Sequence, residues 1–169
     1  MWLWAFLHSL KIQSECIING IDYSKPLIEV AQNNLKGNFS VKEANSEWNL
    51  TSLMDVIVSH SVFNYFPDIP YTYDVIERAF LNLEKGGCFF LMDCNDVNQK
   101  ENYHSERKKQ YENPDQYDEK YKNHPHLFFN KDELVFKMKC VGFKSIEFFE
   151  YPTSQYSNQK FRFNLMAVK

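Results

Sequence analysis

The spacing of apolar residues changes several times along the chain, and each change marks a boundary between elements. Residues 1–10, MWLWAFLHSL, put Trp2, Leu3, Phe6, Leu7 and Leu10 on one helical face. A β-type run follows over residues 16–21. The helical period returns over residues 24–36, with Leu27, Ile28, Ala31 and Leu35 on one side, Pro26 in the first turn and Gly37 past the end. Short strands are predicted over residues 39–42 and 55–58, and a helix over residues 73–83, closed by Lys85, Gly86 and Gly87. CFFLM, residues 88–92, is the continuous apolar run expected of a strand covered on both faces. A helix over residues 132–141 precedes strands over 143–151 and 161–168, which no helix separates and which should therefore pair antiparallel. Alternation of this kind predicts an α/β fold, with a mostly parallel sheet, helices on both faces and a closing antiparallel pair, in a single domain over residues 1–169.

One segment breaks the alternation. Residues 95–125 are polar, with Tyr103, Tyr111, Tyr117 and Tyr121 set among charges. A connection of this length inside a domain is usually a functional lid or disordered. Tyrosines, with apolar bodies and polar tips, favour the lid; the alternative is a surface helix near NYHSERKKQYE that touches no ligand.

Composition narrows the partners. The chain has 169 residues, 44% apolar and 17% aromatic, enough for a substantial core. A net charge of −3 and a pI near 6.0 argue against nucleic acid or an anionic membrane surface and favour a small-molecule partner. Cys16, Cys88, Cys94 and Cys140 show no paired metal or redox spacing and read as thiols of a reducing cytoplasm. The opening ten apolar residues lack a positive leader and a small-residue cleavage site, and they are too few to span a bilayer.

Candidate chemistry lies where strands end. In open α/β sheets ligands sit beyond the carboxyl ends of the strands, where an acid can accept hydrogen bonds from both hydroxyls of a ribose. Asp22 stands at such an end, although an Asp there can equally cap the helix beginning near Ser24. The successive segments GIDYSKPLIEVAQ, VKEANSEWN, DVIVSHSVFNYF and LEKGGCFFLMD resemble, in sequence and spacing, the motifs of the class I S-adenosylmethionine-dependent methyltransferases. The resemblance covers essentially the whole chain and includes the closing antiparallel pair, which dinucleotide dehydrogenases lack.

The resemblance implies a Rossmann-like sheet, S-adenosyl-L-methionine as cofactor and methyl transfer to a small molecule. It implies that Asp22 holds the ribose, that Tyr23 lies against the adenine, and that the Glu43, Ala44 and Asn45 segment meets the adenine edge. Ser59, His60 and Ser61 would line the methionine end of the cofactor and the substrate mouth. Displacement at a sulfonium methyl asks the protein to align the reactants and, where needed, to take a proton. His60 is the first candidate base, because imidazole changes charge near neutral pH; otherwise it only hydrogen-bonds its loop. Asp93, with Asn95 or Asp96 beyond it, is the second candidate for orienting substrate, unless these residues cap the following segment.

Other chemistries find little support. His124 and His126 with Asp93 and Asp96 would make a mixed nitrogen and oxygen metal set, but HPH is not a ligand spacing on a regular element, and no metal is expected. There is no G-x-S-x-G, no H-E-x-x-H, and no G-x-G-x-x-G turn of the kind a nicotinamide enzyme requires. A non-catalytic relic serving as an interaction module is the remaining alternative. The resemblance also implies N-terminal truncation: MWLWAFLHSL resembles the helix after the family's first motif, and the strand and glycine-rich turn that precede it in the family are not in the sequence. Loss of that central strand would expose its neighbours as unpaired edges and impair cofactor binding and catalysis.

Overall fold

The computed structural model of the protein describes residues 16–122, 125–151 and 157–169. The helix expected over residues 1–10 lies outside the described residues. The chain divides into two compact units, Met1–Asn49 and Leu50–Lys169.

The first unit contains β1 (Asn19–Asp22), α1 (Lys25–Asn34) and β2 (Asn38–Val41). The two strands are parallel, with Asp22 opposite Val41, and the Lys42 amide donates to the Asp22 carbonyl at 3.0 Å. Helix α1 starts as its sequence predicts, with Ser24 at the N-cap and a proline in the first turn. Ile28 and Ala31 turn inward and join Ile18, Leu35 and Phe39 in one apolar cluster. Leu27, expected on the buried side, is 47% exposed, so the apolar stripe is narrower than the periodicity suggested.

The second unit contains β3 (Met54–His60), α2 (Ile69–Asn82), β4 (Leu83–Asn95), α3 (Lys100–Lys108), α4 (Pro114–Lys122), α5 (Lys131–Val141), β5 (Ser145–Phe149) and β6 (Arg162–Val168). Its sheet has the order β3-β4-β6-β5. β3 and β4 are parallel, and β6 runs antiparallel to both β4 and β5, as the direct connection of the last two strands required. Helix α2 begins earlier than its apolar spacing indicated, because the Asp68 carboxylate accepts the Tyr71 amide at 2.8 Å and caps it.

Burial along β4 alternates instead of being continuous. Phe89 and Leu91 are buried, whereas Phe90 and Met92 are half-buried. The buried face meets Phe143 and Phe80 through ring centroids 6.3 and 5.1 Å apart along the series Phe89, Phe143, Phe80, which brings α2 against it. The apolar run therefore reads as a strand, but one with unequal faces.

Helix α5 ends in a left-handed stop. Gly142 has φ 122°, and the Phe143 amide donates back to Met138 at 3.2 Å, with both side chains buried. A Cβ at Gly142 would lie 2.7 Å from the Phe80 ring. Gly142→Ala is expected to destabilise the protein by about 1–2 kcal/mol, from the positive φ and the crowded ring together. Urea unfolding measures it, and an unchanged midpoint would show that the cap is not strained by a side chain.

Candidate active site

Two groups of candidate residues form, one in each unit. In the first, β1 and β2 end side by side, so Asp22 and the turn through Ala44 and Asn45 stand at the same end of the parallel pair. One carboxylate oxygen of Asp22 accepts the Ser24 amide at 2.8 Å, an Asx turn that leads into α1, whose N-cap Ser24 makes no side-chain cap bond. The other has no hydrogen bond among the described residues. Tyr23 beside it is 76% exposed, leaving its ring open for stacking. The turn after β2 is held by the Trp48 indole, which donates to the Ala44 carbonyl at 2.9 Å, and by Lys42, whose ammonium donates to the carbonyls of Glu47 and Trp48 at 2.8 and 2.9 Å.

The second group is built on a distortion of β4. Against β6 its register shifts between Leu91 and Cys94, leaving an extra residue in β4. Asp93 lies in this bulge with φ 62°, and Ser61, just past the end of β3, has φ 58°. Left-handed backbone at residues other than glycine costs roughly 1–3 kcal/mol each and persists only where the surroundings impose it. The surroundings here are specific. The Asp93 amide, turned out of the ladder, donates to Asn164 Oδ1 at 2.8 Å, and its carbonyl accepts from Asn64 Nδ2 at 2.8 Å. Asn64 Oδ1 also accepts the Asn95 amide at 2.8 Å, so one buried side chain brackets the bulge from both sides.

The bulge aims the Asp93 carboxylate, which has no exposure, at Arg162 on β6 and at the Ser61 hydroxyl, both of which donate to it. Ser61 Oγ is in turn hydrogen-bonded to His60 Nδ1 at 3.0 Å. The structure thus brings His60, Ser61 and Asp93 together, while Ser59 is half-buried on β3 opposite Leu91. Cys94, next along, is no nucleophile: burial pushes its thiol well up, and the Asp93 charge adds to this against the opposing effect of Arg162. Asp96 caps the short turn after β4, accepting the Asn98 amide at 2.9 Å, and pairs with Lys131 at 2.7 Å. The capping reading therefore describes it. The Asn95 amide group donates to the Leu127 carbonyl at 2.9 Å.

The polar segment after β4 folds into α3 and α4 around buried Tyr103 and Tyr117. Its two ends are tied together. The Val97 amide donates to the Phe129 carbonyl, and the Phe129 amide to the Asn95 carbonyl, at 3.0 and 2.9 Å. Inside, Tyr103 is hydrogen-bonded to His126 at 3.0 Å and Tyr117 to His104 at 2.6 Å, and the Arg107 guanidinium lies 5.2 Å over the Tyr103 ring. Burial lowers the His104 imidazole, and the Lys100 and Lys108 cations lower it further. Burial lowers His126 to about 4, helped by Arg162 and Arg107. His124 lies outside the described residues, and no group of three or more His, Cys, Asp or Glu among the described residues could hold a metal ion.

Four site residues have no signature in the sequence reading: Asn64, Tyr151, Arg162 and Asn164. The available signal was Arg162 and Asn164 interrupting the apolar strand FRFNLMAV.

A family model described as a methyltransferase domain matches residues 5–162. The chain belongs to that family. No curated protein matches it in sequence. Solved structures resemble this methyltransferase-domain protein at low identity. A SAM-dependent methyltransferase from Methanosarcina mazei is 18% identical with TM-score 0.60, over 90% of this chain and 81% of that one. An S-adenosylmethionine-dependent methyltransferase from Clostridium acetobutylicum is 12% identical with TM-score 0.62, over 90% and 74%. The magnesium protoporphyrin IX methyltransferase of Synechocystis, solved with SAH, is 13% identical with TM-score 0.61, over 93% of this chain and 65% of that enzyme. Such likeness establishes the Rossmann-like methyltransferase fold. Among the described residues, no helix of this family member is long and apolar enough to cross a membrane.

Two outcomes follow from the site. Asp93→Asn removes the buried carboxylate that pairs with Arg162 and should cost about 3–5 kcal/mol in urea unfolding; a loss below about 1 kcal/mol would mean the pair is dispensable. The second concerns His126, which faces Tyr65, Tyr103, Tyr121, His104, Arg107 and Arg162. Its imidazole is neutral in both states above pH 6.5, the ordinary value, and charged in both below about 4. Between these limits the unfolded chain binds more protons, so stability falls as pH falls, by roughly 1–2 kcal/mol after allowing for solvent screening. His126→Gln should remove that part of the pH dependence, and an identical profile would assign it elsewhere.

Proposed function

We propose that this protein transfers the methyl group of S-adenosylmethionine to a small-molecule acceptor, with His60 as the base. The observation that carries this reading is the imidazole fixed at the end of β3 by the series Ser61, Asp93 and Arg162. The residues of the first unit fit the cofactor. Asp22 keeps one carboxylate oxygen for a ribose hydroxyl while the other holds the turn into α1, and the exposed Tyr23 ring offers a face to adenine. Ala44 and Asn45 take the adenine edge. The cofactor, when bound, supplies a methyl group made electrophilic by its sulfonium.

The chain's own work is positioning and proton handling. Asp93 orients without touching substrate, because its carboxylate is fully buried and already engaged. It holds Ser61, which holds His60 in one orientation. The tied segment carrying α3 and α4 serves as the lid of the acceptor site. The net charge of −3 suits a small acceptor better than nucleic acid.

Calorimetric titration with S-adenosylmethionine and with NAD on the same sample tests the reading. Binding of the first alone is expected, weakened by the lack of a glycine-rich turn in the sequence; binding of NAD alone would make the protein a nicotinamide enzyme, and binding of neither would leave an interaction module. Asp22→Ala should weaken S-adenosylmethionine by about 1.5–3 kcal/mol, the scale of a charged hydrogen bond, with the fold retained. Unchanged affinity would remove Asp22 from the ribose.

A further inference from the structure

The nitrogen of His60 that would take the acceptor's proton already has a partner. Nδ1 is bonded to Ser61 Oγ at 3.0 Å, and Nε2 lies 2.8 Å from the hydroxyl of Tyr151, just beyond β5. The two ring centroids are 6.2 Å apart. Counting protons fixes the direction of every link. Arg162 can only donate, and the Asp93 carboxylate can only accept. The one hydroxyl proton of Ser61 goes to Asp93, so Ser61 Oγ receives its other bond from His60, which places the imidazole proton on Nδ1. In the neutral imidazole Nε2 then holds the lone pair, and the Tyr151 hydroxyl donates to it.

We propose that Tyr151 is the group through which His60 acts, so that the methyl acceptor meets a phenol and not the imidazole. This rests on the reading of the protein as a methyltransferase with His60 as base. A phenol oxygen that donates its proton can still accept one. As the acceptor's oxygen or nitrogen bonds to the methyl carbon, the S–C bond breaks and its electron pair stays on sulfur. The acceptor's proton passes to the Tyr151 oxygen while the phenol proton passes to His60 Nε2. The phenol is restored within the step, and the imidazole becomes an imidazolium that retains its Nδ1–H on Ser61 and later loses the Nε2 proton to water. A relay of this form serves an acceptor with an O–H or N–H that must be deprotonated, such as an alcohol, phenol or amine. A carboxylate or thioether would have no use for it.

The geometry also explains why Ser61 and Asp93 hold left-handed backbone. A relaxed backbone at either position would turn the hydroxyl or the carboxylate away, and the imidazole proton would no longer be confined to Nδ1.

The test reads the tautomer directly, on the full chain labelled with ¹⁵N-histidine, without cofactor, at a pH where His60 is neutral. The wild-type spectrum should show His60 protonated at Nδ1, with Nε2 as a hydrogen-bonded acceptor. In Tyr151→Phe the proton should stay on Nδ1 while the Nε2 resonance moves toward that of an unbonded imine nitrogen. In Ser61→Ala the population should move toward the Nε2–H form. A wild-type His60 protonated at Nε2 would make the imidazole the donor and overturn the relay, as would an Nε2 resonance that does not respond to Tyr151→Phe. The wild-type spectrum decides even if a variant fails to fold. Because no cofactor is present, the result is independent of the S-adenosylmethionine titration, so a failure of the relay and a failure of the methyltransferase reading are told apart.

Discussion

The carboxylate of Asp93, wholly removed from water, is the constraint to which the larger unit conforms. A buried charge is tolerable only when its partners are complete, and losing one of them costs several kcal/mol. Arg162 supplies the opposite charge and Ser61 a hydroxyl. Reaching them requires an extra residue in β4, a left-handed turn of the chain and two asparagines, Asn64 and Asn164, to satisfy the backbone groups that the ladder gives up. The polar groups around Asp93 are therefore one connected set of hydrogen bonds, and the strained positions Ser61 and Asp93 are explained by their place in it.

Much of the frame was legible in the sequence because it depends on local patterns. Helix α1 follows from apolar spacing, a first-turn proline and a following glycine, and the closing antiparallel pair follows from the absence of a helix between two strands. The start of α2 was missed because a capping aspartate between two prolines in FPDIP looks like a loop. Helix α3 was open only as the alternative of a surface helix near NYHSERKKQYE, and α4 was hidden by polarity, since each buries a single tyrosine among polar residues. The candidate site divides in the same way. His60 and Asp93 could be named because strand ends are where ligands bind, and Ser61 through the family resemblance. Their partners could not: Tyr151 lies 91 residues from His60, Arg162 lies 69 from Asp93, and Asn164 lies 71 from Asp93. No spacing rule reaches across such distances, and a bulge leaves no mark in a continuous apolar run.

The hydrogen bonds that join residues 95–97 to 127–129 have a consequence for descent as well as for shape. A segment closed at its base imposes its ends on the sheet while its interior contributes none of the sheet's pairing. Loop-closure entropy rises by only about 0.6 kcal/mol for each doubling of length. The span between the ties can therefore change length with the pairing of the sheet undisturbed. A new chemical repertoire would arise by exchanging a cassette instead of redesigning a sheet.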